Sequence, residues 1–90
     1  MRRAAKVDRN QAEIVDGLRR CGISVEFIGK PVDLLVCCRG ETSLLEIKNP
    51  VDGRLTKDQV EFLARWPGRV HVVRTLNEAL KALLGERLMA

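Results

Sequence analysis

Apolar residues recur along the chain in two rhythms, one at every third or fourth position and one at every second. In DRNQAEIVDGLRRC, Asp8 to Cys21, the residues Ile14, Leu18 and Cys21 fall on one stripe with Val15 beside it. That spacing predicts an amphipathic helix, and Gly22 is a natural stop. SVEFI, Ser24 to Ile28, alternates as a first strand and is closed by Gly29, Lys30 and Pro31. VDLLVCC, Val32 to Cys38, is a second strand; after a turn at Arg39 to Glu41, TSLLEIK returns as a third from Thr42 to Lys48. So short a connection predicts antiparallel pairing. NPVDGR, Asn49 to Arg54, is loop.

The second half carries clearer boundary signals. Thr56 with Gln59 forms a capping box, Leu55 with Val60 a hydrophobic staple, and the helix runs to about Trp66, ahead of Pro67-Gly68. RVHVV, Arg69 to Val73, reads as a fourth strand. Thr75 and Glu78 make a second capping box, and Leu76, Ala79, Leu80, Leu83 and Leu84 give the last helix its apolar face before Gly85. The order α-β-β-β-α-β-α implies an α/β fold, a small mixed sheet with helices on its faces. Residues 1–90 make one domain, with 1–7 expected as a flexible basic arm and 86–90 as a tail.

Composition narrows the functions. The chain has 16 Lys and Arg against 12 Asp and Glu, a formal charge of +4. This mild basic bias is compatible with a phosphate backbone as partner but does not single one out. Phe27, Phe62 and Trp66 are the whole aromatic set, which argues against recognition by base stacking on aromatic platforms. Arg2, Arg3, Lys6 and Arg9 cluster at the start, as a DNA-contacting arm or simply a solvated terminus. Cys21, Cys37 and Cys38 are odd in number and lack zinc spacing, so they are expected to be small core residues in a reducing compartment. No signal peptide or membrane-spanning run is visible, and a cytoplasmic protein is expected.

The charged residues inside the third strand carry the candidate chemistry. Alternation puts Leu44, Glu46 and Lys48 on one face, and Asp33 shares its face of the second strand with Leu35 and Cys37. If the hairpin closes at Arg39 to Glu41, Asp33 and the Glu46/Lys48 pair become neighbours at its open end. Two carboxylates close together in a partly buried site repel and are costly to desolvate. A hard divalent cation compensates directly, and Mg²⁺ takes such oxygens together with water and phosphate. Lys48 beside it would contact phosphate or orient water, as metal-assisted phosphodiester hydrolysis requires. The plain alternative is an ordinary acid–lysine pair on a solvent-facing strand, with Asp33 following a Pro turn.

PVDLLV with Asp33, LLEIK with Glu46 and Lys48, LTKDQVEFL with Gln59, and NQAEIVDGLRRCG with Glu13 together resemble a minimal PD-(D/E)xK nuclease. The resemblance is to the small VRR-NUC-like kind found in phages and related to Holliday-junction resolvases, and it covers roughly Asp8 to Leu84. It implies a restriction-endonuclease-like core. Asp33, Glu46 and the backbone carbonyl of Ile47 would be metal ligands, with Glu13 reaching the metal directly or through water. Lys48 would be the catalytic lysine, and Gln59 would line the site and help place water or phosphate. In the family, Pro immediately precedes the aspartate; here Val32 separates Pro31 from Asp33, which bears on the turn geometry.

The implied activity is an Mg²⁺-dependent DNA endonuclease, Mn²⁺ substituting, with no small-molecule cofactor and no membrane partner. It would act as a homodimer on duplex or branched DNA, in the host cytoplasm if phage-encoded. Arg9, Lys30, Arg54 and Lys57 are the basic residues assigned to nucleic-acid contact. The alternative is a nuclease fold that grips nucleic acid or a partner protein without cutting, or a subunit whose specificity another chain supplies. Gln59 has a competing role in its capping box, and Glu13 one as a solvated helix residue. His71, inside an apolar strand, is expected to be a core or interface residue, and Phe62 and Trp66 to pack their helix against the sheet or a partner chain.

Overall fold

The computed structural model describes residues 9–85, Arg9 by its backbone only. The elements are α1 (Arg9–Arg20), β1 (Ser24–Phe27), β2 (Leu34–Cys38), β3 (Glu41–Ile47), α2 (Lys57–Arg65), β4 (Val70–Val73) and α3 (Leu76–Leu84). This is the expected order. The four strands lie in the order β1-β2-β3-β4. The β1–β2 and β2–β3 pairs are antiparallel, with Leu34 opposite Leu45, and β3–β4 is parallel, with Ile47 opposite Val73. Two hairpins therefore build three strands, and α2 is the crossover that a parallel β3–β4 pair requires.

Strand alternation sorts the side chains onto two faces. Val25, Leu34, Val36, Cys38, Leu45, Ile47 and Val73 point to one side and pack with Ile14, Val15 and Leu18 of α1 and Ala79 of α3. Ile14 and Leu18, buried and one helical turn apart, anchor α1 as the period of its sequence demands. Leu18, Leu34, Leu45 and Ala79 are fully buried at 0% exposure, so this layer between α1, α3 and the sheet is the centre of the core. The other face carries Leu44 and Glu46, and there α2 lies, with Phe62 buried. Among the described residues no helix is long and apolar enough to cross a membrane.

Several boundaries and roles differ from the sequence reading. The β2–β3 turn is tighter, Arg39–Gly40, with both residues at positive φ (54° and 82°), so β3 begins at Glu41. Asp33 and Lys48 stand one residue outside β2 and β3 rather than within them. The box at Gln59 closes fully, whereas the one at Glu78 closes only in part. Thr75 Oγ1 accepts from the Glu78 N–H, but the Glu78 carboxylate accepts instead from the Arg74 N–H at 2.6 Å. Cys38 is buried, yet Cys21 is exposed and belongs to no core. It lies past the last turn of α1, where the stripe no longer faces the sheet. Val60, half of the expected staple, is 51% exposed. Asp8, the expected start of the first helix, the arm at 1–7 and the tail at 86–90 lie outside the described residues.

Candidate active site

Where β2 begins and β3 ends, the antiparallel ladder runs out and side chains take its place. Odd-numbered residues of β3 face β2, so the next rung after Leu34–Leu45 falls to the Ile47 N–H. It donates to Asp33 Oδ2 at 2.8 Å, a carboxylate standing in for a strand carbonyl. The Ile47 carbonyl points to the same edge as its N–H, toward the Asp33 side. Lys48 N–H, on the opposite edge, donates to the Val73 carbonyl at 3.0 Å and keeps the strand end in register with β4.

Glu46 is the unusual residue of the molecule. It is a carboxylate at 2% exposure on the α2 face. Its Oε2 accepts from Gln59 Nε2 at 2.8 Å and lies 3.0 Å from Lys48 Nζ. Its Oε1 is buried and has no partner among the described residues. Burial pushes the Glu46 carboxyl above its ordinary value, and the Asp33 charge adds to the rise, while Lys48 and Gln59 pull it back. The two carboxylates therefore sense each other across the hairpin, as the alternation of the strands predicts.

Gln59 resolves its two competing roles by using both ends of one amide. Its Oε1 accepts from the Thr56 N–H at 3.0 Å and its backbone N–H donates to Thr56 Oγ1 at 3.1 Å, completing the capping box. Its Nε2 is then left aimed at Glu46. The cap and the site are one device: the first turn of α2 is fixed by the residue that touches the carboxylate.

Asp33, Glu46, Lys48 and Gln59 thus come together, and the Ile47 carbonyl lies beside them. Glu13 does not join them. It is exposed on α1, which packs against the opposite face of the sheet, and among the described residues no three His, Cys, Asp or Glu side chains gather as a metal group. Lys30 lines an open groove of about 560 Å³ between the β1–β2 connection and α2, with Gln59, Phe62 and Arg65 on its far wall. Arg54 and Lys57 are exposed just before and at the start of α2, and the Arg9 side chain lies outside the described residues. Phe62 is buried and stacks on the half-exposed Trp66, ring centroids 5.1 Å apart. His71 is partly buried in β4; burial first, then the Arg69 charge, lowers its pKa.

Two residues at this end of the sheet were missed by sequence reasoning. Asn10 Nδ2 donates to the carbonyls of Lys48 (2.9 Å) and Arg74 (3.2 Å), and Arg74 Nη2 donates to the Gly53 carbonyl at 3.0 Å. A signal for Asn10 was present: it sits four residues before Ile14, a polar residue on the apolar stripe of α1. Nothing in the sequence marks Arg74.

No family model, curated protein or solved structure matches the chain.

Proposed function

We propose that the protein is a divalent-metal-dependent nuclease that hydrolyses DNA phosphodiester bonds. One observation carries this reading: a carboxylate at 2% exposure keeps one oxygen without a partner among the described residues, beside a second carboxylate and an ammonium. A purely structural Glu46 would have both oxygens satisfied, because a buried acceptor without a donor costs about 1–3 kcal/mol. A hard cation satisfies it at once. The donors within reach are all hard oxygens, from Asp33, Glu46 and the Ile47 carbonyl, and such a set suits Mg²⁺, with Mn²⁺ as substitute.

Bound there, the ion would supply Lewis-acid polarisation of the phosphate and a lowered water pKa. The chain's own residues do the rest. Asp33 and Glu46 would hold the ion, and Asp33 is fixed by the Ile47 N–H. Lys48 presents its ammonium 3.0 Å from Glu46, where it contacts a phosphate oxygen or orients the attacking water. Gln59 holds Glu46 in place through the capped turn of α2. Glu13 is left out of this set.

A domain of 90 residues offers little surface to a duplex and a single site, enough to cut one strand. A homodimer widens the basic footprint and presents two sites, so we assign the active form to a dimer acting on duplex or branched DNA. Lys30, Arg54 and Lys57 would then contact phosphates beside the site. The test is nicking of duplex and four-way-junction DNA with Mg²⁺ by the native chain and by Lys48→Ala. Cutting by the native chain alone supports the reading; equal residual activity in both removes Lys48 from it. Salt-sensitive DNA binding that survives Asp33→Ala, with no cutting, would make the chain a binding module on this fold instead.

A further inference from the structure

The parallel ladder between β3 and β4 ends in an arrangement that the proposed chemistry does not by itself require. Lys48 N–H makes the last rung, to Val73. In a continuing ladder the Lys48 carbonyl would accept from the backbone two residues beyond Val73. It accepts instead from the side chain of Asn10, which also takes the Arg74 carbonyl. One amide group from the first turn of α1 therefore joins the ends of both strands. Its own oxygen, Oδ1, is buried without a partner among the described residues. Asparagine is suited to this place because its short side chain carries two N–H donors, both of which are used.

The loop that follows is held from the other side. Val51 and Asp52 N–H groups donate to Asn49 Oδ1, and Gly53 N–H donates to the Asn49 carbonyl at 3.1 Å. This folds Gly53 back over the strand end, where an added Cβ would lie 2.4 Å from the Asn49 nitrogen and 2.9 Å from Lys48 Cβ. Arg74, whose carbonyl Asn10 holds, clamps Gly53 through its guanidinium. Lys48 is thus held through its carbonyl by Asn10 and through its N–H by Val73, with the Asn49–Gly53 turn folded beside it.

We infer that Asn10 is a positioning residue for Lys48, acting with Arg74 as a clamp that ties α1, the β3 and β4 ends and the 49–53 turn around the lysine. Its bearing on catalysis rests on the nuclease reading; its bearing on where Lys48 sits does not. The Lys48 side chain starts from this held backbone and its allowed rotamers depend on it, so a loosened strand end moves Nζ away from Glu46.

The test compares Asn10→Ala with Val15→Ala, a packing lesion in the same helix that leaves the clamp intact. In protein labelled with ¹⁵N-lysine, Asn10→Ala should displace the Lys48 ammonium resonance and broaden it, while Val15→Ala lowers the unfolding midpoint and leaves that resonance in place. Under Mg²⁺, Asn10→Ala should lower turnover by about tenfold to a hundredfold with KM unchanged, the cost of a misplaced reacting group. An unmoved Lys48 resonance in Asn10→Ala, or an equal displacement in Val15→Ala, overturns the inference. Arg74→Met removes only the hold on Gly53 and should displace the same resonance, which keeps the test decisive if Asn10→Ala does not fold. Absence of cutting by the native chain would defeat the nuclease reading, while the spectra would still decide the clamp.

Discussion

Gln59 carries two loads through one amide, and two substitutions separate them. Gln59→Leu removes both the bond to Glu46 and the acceptor that closes the capping box. Thr56 Oγ1 still accepts from the backbone N–H of residue 59, so only the reciprocal half of the box is lost, at a cost under about 1 kcal/mol. Loss of a donor to a charged, desolvated acceptor costs about 2 kcal/mol more. Against a total stability of roughly 5–10 kcal/mol for a chain this size, a loss of about 2–3 kcal/mol is severe. It corresponds to a fall on the order of 10–20 °C in Tm.

Gln59→Glu behaves differently. Its carboxylate can still accept from the Thr56 N–H, so the box survives. It cannot donate to Glu46, and it places a second negative charge against a carboxyl that burial already keeps above its ordinary value. The deficit therefore appears when both groups are ionised and shrinks as the pair takes up a proton. Urea denaturation at pH 8 and pH 5 measures it: both variants should lose less at pH 5, because the Nε2 donor stabilises the ionised carboxyl, and Gln59→Glu, with its added repulsion, should show the larger change from a deficit of about 2 kcal/mol at pH 8. A Gln59→Glu protein as stable as the native chain at pH 8, or a deficit that does not change with pH, would refute the assignment of Nε2 to Glu46.

Three further outcomes follow from the same geometry. Because the folded-state pKa of Glu46 is raised, its protonated form contributes stability that is complete below the ordinary carboxylate value and is lost as pH rises through the raised one. Asp33→Asn keeps an acceptor for Ile47 and removes the neighbouring charge, so it should narrow that window, as a ¹³C titration of the Glu46 carboxyl would show. Mn²⁺ affinity, which needs Glu46 ionised, should rise with pH across the native window, as calorimetry at several pH values would report. Arg19 donates to the Val25 carbonyl at 2.9 Å and lies over the Phe27 ring at the outer edge of β1, so Arg19→Ala should bare that edge and raise concentration-dependent association, seen by light scattering.

The fold was legible where local signals agree. The first and last helices announced a stripe and a stop, α2 a capping box and a stop, and the short β2–β3 link left antiparallel pairing as the simple solution. The meeting of Asp33 with Glu46 followed from period-two alternation plus one turn, which is why its essentials survive a shift of one residue in both strand ends. What could not be read was the partner of each polar atom. Asn10 and Arg74 bond to backbone carbonyls that every residue possesses, and no residue type marks which carbonyl is left free when a ladder ends. Glu13 shows the same limit: the helical period placed it away from the Ile14–Leu18 stripe, but not relative to a site on the far face of the sheet. For Gln59 the sequence posed two roles as rivals because it cannot show that an amide's oxygen and nitrogen are aimed in different directions.

The strand that bears Glu46 is internal, bonded on both sides, with Leu45 fully buried on its reverse. Its amide protons should consequently exchange with solvent only when the whole domain opens, whereas those of the outer strands can exchange by fraying. An electrostatic penalty seated there is shared by the entire cooperative unit and cannot be relieved by a local excursion. Any agent that neutralises Glu46 should then slow exchange throughout the sheet, far beyond the atoms it touches.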